Sequence, residues 1–293
     1  MVEFIAEFTN YHMGNFHLLM NMLDYAKALD VDYVRIPRKN VDTFYSQEEL
    51  VAPVPINCKL PYGLTYGEYR KVFEFTEDEF DKFDQRCNEY NLEWFSTPQD
   101  RESFEFLKKY KLNKWKVASC NCANIDYLKY VKSMTKEDDE IFISTGGARY
   151  EDIENIVSMF DDRKLCIMHC VSEYPTQQVN MKLGNITRLI DDFKSNNVRI
   201  GYSGHELGYQ PTIAAIDLGA EVVERHFIIK KHDLFPRVNC ALDVNEYAEL
   251  IAISRSGKKL EEYYDLYEVA FREEFKLTKD VEHFFEDQSC DRK

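Results

Sequence analysis

The sequence predicts an α/β chain folded as a (β/α)8 TIM barrel, a single domain followed by a short helical C-terminal tail. Three observations predict it. Eight short apolar, β-branched or aromatic runs alternate with helical patterns over about 255 residues, the size of such a barrel. The chain has 293 residues, enough for one large core. Each strand-like run ends in polar residues, and in a barrel the chemistry sits at that carboxyl end. A doubly wound open sheet is the alternative, but no Gly-x-Gly-x-x-Gly follows the first strand.

In order, residues 2–6 read as a short buried strand. Residues 15–29 put Leu18, Leu19, Met22, Leu23 and Ala26 on one helical face. Residues 31–36 read as a strand stopped by Pro37. Residues 38–75, with Pro53, Pro55 and Pro61, read as an irregular insertion holding a short helix. Thr76 with Glu79 has the capping-box pattern and opens a helix to about Tyr90. Strands follow at 92–95, 115–117, 140–143, 165–168, 198–200 and 221–223. Helices lie at 100–110, 125–134, 150–160, 186–193 and 212–219, and 244–254 closes the set. The barrel domain is placed at 1–256. Residues 257–293 are a charged helical tail whose aromatic side chains (Tyr263, Tyr264, Tyr267, Phe271, Phe275) call for a partner surface.

The formal net charge of −15 argues against non-specific nucleic-acid binding and requires a local cation cluster for any anionic substrate. No apolar run approaches the ~20 residues of a membrane span, and the chain opens without a basic, then apolar, signal pattern. The eight cysteines are scattered, several in apolar runs, which suits reduced thiols in a cytoplasmic protein. Cys120 and Cys122 are read as structural rather than as half of a metal site.

The polar strand ends are Glu7, Arg35, 96–98, Lys116 with Ser119, 144–147, His169 leading to Tyr174-Pro175, Ser203 with His205, and Glu224 with His226. The opposite ends show no comparable set. Strand side chains alternate, so Ser203 and His205 face one way, as do Glu224 and His226. Two imidazoles at adjacent strand ends with carboxylates nearby suit a divalent metal; two hydrogen-bonded interior histidines are the other reading. Arg35 and Lys116 suit a phosphate or carboxylate, or ion pairs with an acid such as Glu7. Thr97, Ser119, Ser144 and Thr145 offer hydroxyl donors or loop caps. Gly146-Gly147 before a helix could cradle an anion.

Several stretches, taken together and in order, resemble the sialic acid synthase family. They are Ile5-Ala-Glu7 with Asn10-Tyr-His-Met-Gly14, Tyr66-Gly-Glu-Tyr-Arg70, Phe95-Ser-Thr-Pro-Gln-Asp100, Lys116-Val-Ala-Ser119, Ile143-Ser-Thr-Gly-Gly147, His169-Cys170 with Tyr174-Pro175, Gly201-Tyr-Ser-Gly-His205 and Glu224-Arg-His-Phe227. The resemblance covers about residues 4–255 and implies a transferase that joins phosphoenolpyruvate to an N-acylated amino sugar, giving a nonulosonic acid and phosphate. It implies His205 and His226 as ligands of a divalent metal, manganese first, with magnesium or cobalt as alternatives. It also implies Glu7, Lys116, Glu224 and Tyr174 as catalytic groups, and Arg35, Thr97, Ser119, Ser172, Ser203 and Arg237 as substrate-binding groups. Arg35 stands for a lysine. The sequence departs from the family at Ser172 (for asparagine), Gly204 (for an acid), Arg237 (for an acid) and Tyr11 (for asparagine). The family's C-terminal antifreeze-like domain has no counterpart in the tail. Arg237, with Arg38, is expected to replace the arginine it would send into the site. A homodimer, or a separate chain supplying that domain, is expected. The alternatives are an aldolase or lyase on another aldehyde, with Lys116 as a Schiff base, and a non-catalytic binding or regulatory barrel.

Overall fold

The computed structural model describes residues 2–54, 65–231 and 238–256. Among these, eight strands close into a barrel: β1 Glu3–Glu7, β2 Tyr33–Arg38, β3 Glu93–Pro98, β4 Lys114–Val117, β5 Glu140–Ser144, β6 Lys164–Cys170, β7 Val198–Gly204 and β8 Val222–His226. Every pairing is parallel, each strand lies beside its sequence neighbours, and β1 pairs with β8 to close the ring. The helices are α1 Phe16–Ala28, α2 Val41–Phe44, α3 Gln47–Val51, α4 Tyr66–Lys71, α5 Glu77–Tyr90, α6 Arg101–Leu107, α7 Ile125–Met134, α8 Tyr150–Met159, α9 Gly184–Phe193, α10 Gln210–Asp217 and α11 Val244–Arg255. None of the helices is long and apolar enough to cross a membrane among the described residues. The tail and its aromatic residues lie outside the described residues.

Alternate strand residues face inward, and their chemistry is layered. In the middle, Ile5, Phe95, Phe142, Cys166, Met168 and Val222 form an apolar plug, with Phe95 stacked on Phe142 at 5.1 Å between ring centroids. The main hydrophobic core lies outside the sheet, between strands and helices, where Phe4, Ala6, Val34, Ile143, Ile167, Ile200 and Val223 meet residues such as Leu19, Leu107, Leu128 and Ile156. Six of the cysteines are described, all are free thiols, and only Cys120 is exposed.

Three expectations need correction. The opposite end of the barrel does carry a polar set: Arg199 bridges Glu3 (2.9 Å) and Glu140 (2.7 Å), and Lys114 pairs with Glu93 (2.9 Å). These residues open apolar runs, so they read as strand flanks, yet parity turns them inward below the plug. β2 does not stop before Pro37 but runs through it to Arg38. Arg35 O accepts from Phe8 N, so the ring nitrogen of Pro37, two residues on, faces the same side, where β1 has already ended and no ladder bond is lost. The insertion is also more helical than expected, with α2, α3 and α4 packed around Val41, Tyr45, Tyr66, Tyr69 and Phe73. The capping box of α5 is as expected: Thr76 N donates to Glu79 Oε2 at 2.8 Å and Glu79 N to Thr76 Oγ1 at 3.4 Å.

The loop after β1 is pinned by two residues. His12 packs its ring against Phe75 with centroids 4.6 Å apart, and its Nδ1 accepts from Gly14 N at 3.1 Å. Gly14 has φ +72°, and a Cβ there would stand 1.9 Å from Val72 O. Burial lowers the His12 pKa from 6.5 to about 3, so the folded state keeps a neutral ring. The unfolded chain takes up this proton first as pH falls, so the stability His12 contributes is full above pH 6.5 and lost towards pH 3. Urea unfolding is expected to show a loss of about 2 kcal/mol from this residue between about pH 6.5 and about pH 5. His12→Gln, which keeps an acceptor but cannot be protonated, should flatten the slope; an unchanged slope would refute the assignment.

Candidate active site

Above the plug, at the carboxyl ends of the strands, the inward residues become charged. Glu7 lies opposite Arg35 on β2 and His226 on β8 in register, and Ser203 opposite Glu224. The neighbours therefore meet directly. Arg35 pairs with Glu7 and donates to Thr97 Oγ1, and its Nε donates to Glu224 Oε2 at 2.8 Å. Glu224 Oε1 accepts from Lys116 Nζ and from Ser203 Oγ, both at 3.0 Å. Lys116 Nζ also touches Met168 Sδ at 2.9 Å. Two cations and two acids thus share one buried layer, with Glu224 as the hub. Burial alone would raise the Glu7 carboxyl, but Arg35 and then His226 outweigh it and hold the group well below the usual carboxylate range. For Glu224 burial is likewise opposed, by Arg35 and Lys116, and the net shift is downward. Both acids are ionised acceptors.

The two histidines stand at the rim with ring centroids 5.2 Å apart. His205 Nδ1 lies 3.0 Å from Val171 O, so an Nδ1–H donated to that carbonyl leaves the Nε2 lone pair free. Burial and the neighbouring His226 lower its pKa to about 3. His226 Nδ1 is 2.8 Å from Glu7 Oε2, close but poorly aligned for a hydrogen bond, and its Nε2 is buried with no hydrogen-bond partner among the described residues. Tyr174 lies with its ring 4.0 Å from that of His205. On the β4–β6 side, Ser119 Oγ accepts from Gly146 N at 3.1 Å and lies 3.6 Å from Cys170 Sγ. A Cβ on Gly146 would come within 2.3 Å of Ser172 Oγ and 2.8 Å of Ser119 Oγ, so the three residues pack closely round one small recess.

Glu7, Arg35, Thr97, Lys116, Ser203, Glu224, His205 and His226 are therefore gathered at one mouth, with Ser119, Ser172 and Tyr174 at its edge. Thr145 Oγ1 is spent on Met168 O at 3.1 Å. His169 is not at the mouth. Met168 and Cys170 take the inward positions of β6, and His169 turns out to stack near Tyr202 and bond Met181 O at 2.7 Å. Arg38 is also turned outward: it lies 3.7 Å over the Phe106 ring and donates to Phe75 O at 3.2 Å, so it cannot stand in for an arginine of the site. Arg237 lies outside the described residues.

A model of the NeuB family matches residues 22–263. The chain belongs to the NeuB family. The N-acetylneuraminate-9-phosphate synthase of Drosophila melanogaster is 31% identical over 252 residues, covering 85% of this chain and 66% of that protein. The pseudaminic acid synthase of Campylobacter jejuni subsp. jejuni is 27% identical over 263 residues, covering 88% of this chain and 74% of that protein. The chain thus spans about two thirds to three quarters of the length of these relatives. Its fold resembles the crystal structure of an N-acetylneuraminic acid synthetase from Leptospira borgpetersenii serovar Hardjo-bovis, with a TM-score of 0.75, 24% identity and 90% of each chain covered.

Within this NeuB-family barrel, sequence reasoning missed one group altogether. Behind the histidines, Glu206 and Arg225 form an ion pair of 2.6 Å with no exposed side-chain surface. Their signal in the sequence was slight: an acid one residue after His205, and an arginine between Glu224 and His226, both of which pass as ordinary loop and strand charges.

Proposed function

We propose that this chain joins phosphoenolpyruvate to the open-chain aldehyde of an N-acylated amino sugar, giving a nonulosonic, sialic-acid-like acid and phosphate. The observation that carries the reading is the buried layer in which Arg35, Lys116, Glu7 and Glu224 meet beneath two histidines. An acidic protein holds two cations there, where an anionic reactant needs them.

In this reading Lys116 and Arg35, with Thr97, Ser119, Ser172 and Ser203, hold phosphoenolpyruvate. Glu224 fixes the two cations and Ser203 relative to one another. Glu7, kept ionised, accepts hydrogen bonds from the sugar, and Tyr174 walls the mouth beside His205. Arg237 serves as a further anchor for the substrate. C3 of phosphoenolpyruvate forms a bond to the aldehyde carbon, water adds at C2, and the bond from C2 to the phosphate oxygen breaks. Of the two protons that water brings, one is taken up by the former aldehyde oxygen and the other leaves with the phosphate as C2 becomes a ketone. The protein contributes placement and fixed charge rather than a covalent nucleophile.

The residues fit a divalent metal. His226 has a buried Nε2 without a hydrogen bond among the described residues, and the contact of His205 Nδ1 with Val171 O leaves its Nε2 available. Among the described residues no group of three or more His, Cys, Asp or Glu is placed to hold a metal ion, so a metal here would rest on the two imidazoles, with water and substrate as its other ligands. Two imidazoles with positions left for water and substrate suit a catalytic ion rather than a structural one. Manganese, or magnesium or cobalt, bound by His205 and His226 supplies Lewis-acid polarisation of the aldehyde.

The test is phosphate release from phosphoenolpyruvate across a panel of N-acetylated hexosamines with manganese. Release should require one of the sugars, and His226→Ala should lower it by about a hundredfold or more. If no sugar in the panel prompts release, the reading falls.

A further inference from the structure

We propose that Glu206 is a positioning residue, whose carboxylate fills the space a side chain at 204 would take and, through Arg225, fixes the strand ends bearing His205 and His226. The inference deepens the proposed function and rests on the role given there to the two histidines.

The geometry begins at Gly204. A Cβ there would lie 2.3 Å from Glu206 Oε2 and 2.5 Å from Tyr202 Cε1. An acid grown from position 204 would thus end in the cavity that the Glu206 carboxylate occupies, so the two positions compete for one carboxylate site. The Glu206 carboxylate there is fully buried, and both its oxygens are bonded. Glu206 Oε2 accepts from Tyr202 OH at 2.8 Å, and Oε1 accepts from Thr212 Oγ1 at 2.5 Å and Arg225 Nη1 at 2.6 Å.

Arg225 carries the effect to the site. It stands between Glu224 and His226 on β8 and faces outward where they face inward. Its Nη1 also donates to Gly208 O at 2.9 Å, and its Nη2 to Glu206 O at 2.8 Å and Cys240 O at 3.0 Å. One guanidinium therefore ties the segment after β7 and the segment before α11 to the end of β8. His205 is held at the next link, because Thr176 N donates to its carbonyl at 2.9 Å. Both imidazoles project from backbone that this knot fixes. Without the Glu206 carboxylate, a buried guanidinium loses its counter-charge, and the knot must rearrange.

The experiment compares Glu206→Ala, Gly204→Asp, and the two changes combined. In metal-free protein, the imidazole proton–nitrogen correlations of His205 and His226 are recorded, each assigned by replacing that histidine. Manganese affinity is then measured by calorimetry. Each single change should move both sets of correlations and weaken manganese binding by about tenfold or more, the usual effect of losing a partner behind a metal ligand. The combined variant, with its carboxylate restored from 204, should return both readouts towards the wild type. A general loss of stability would not be repaired in the imidazole signals by adding an acid at 204. The proposal is overturned if Glu206→Ala leaves the two sets of correlations unmoved, or if the combined variant is no closer to the wild type than Glu206→Ala alone. Should Glu206→Ala fail to fold, a folded combined variant with wild-type correlations supports the proposal and an unfolded one overturns it. A wild-type chain that takes up no manganese removes the metal reading of the site, while the imidazole signals still decide the role of Glu206.

Discussion

Glu224→Ala is expected to abolish phosphate release and to lower the free energy of unfolding by about 3–5 kcal/mol. The carboxylate is the shared acceptor of Arg35 Nε, Lys116 Nζ and Ser203 Oγ, so its removal strips a contact from two buried cations at once. Arg35 keeps Glu7, but Lys116 keeps no acid among the described residues. Glu224→Gln is expected to fall between, since an amide oxygen can still accept while the charge is gone. Because Arg35 and Lys116 outweigh burial and lower the Glu224 pKa, its contribution is present at neutral pH and is lost on acidification below the ordinary carboxylate value. Urea unfolding near pH 7, beside the release assay, checks both parts. A fully stable Glu224→Ala protein would show that the charges rearrange freely, contrary to a hub.

Gly14→Ala is expected to cost about 3 kcal/mol or more, measured in the same way. Two penalties combine: a left-handed backbone at φ +72°, and a Cβ that would meet the Val72 carbonyl oxygen at 1.9 Å. That oxygen belongs to backbone just after α4, so relief requires the whole insertion to move. Gly208 separates the two penalties. It has φ +69°, but the atom nearest its Cβ is Gln210 Oε1 at 2.6 Å, the end of a flexible side chain. Gly208→Ala should therefore cost about 1 kcal/mol, the backbone penalty alone. Equal losses at the two positions would mean that contact with Val72 does not matter.

The barrel was legible because its strand centres are apolar on both faces, an inner plug and an outer core, which leaves unbroken hydrophobic runs. The strand ends were harder. At the carboxyl ends the inward residues are polar, so the hydrophobic runs break off early: the run of β7 ends at 200 while the strand extends to Gly204, and the run of β6 ends at 168 while the strand extends to Cys170. The polar residues of the mouth could be found by type and place, and Glu7, Arg35, Lys116, Ser203, Glu224 and the two histidines do converge. Parity at a strand end depends on register, which one sequence does not display, so the sequence offers His169 and Arg38 to the mouth and the fold turns both outward. Arg225 was hidden for the same reason: an outward charge on a strand reads as solvated, and only the fold shows Glu206 buried against it. The amino-terminal charges Glu3, Glu140 and Arg199 were hidden because an ion pair across three strands has no signature along the chain.

The pairing of β1 with β8 sets the order in which the site can come into being. Glu7 and Arg35 lie near one end of the chain, and Glu224 and His226 some two hundred residues later, yet they are neighbours across the closing seam. Tyr247 on α11 fastens that seam from outside by donating to Ile5 O at 2.7 Å. An arc of seven strands would hold Arg35 and Lys116 without the acid that joins them, and Glu7 without its imidazole. Two like charges would then face each other with Glu7 as their only nearby acid. Electrostatics at the mouth therefore oppose an arc that lacks β8 and favour the closed ring, which makes the candidate site also a latch of the fold.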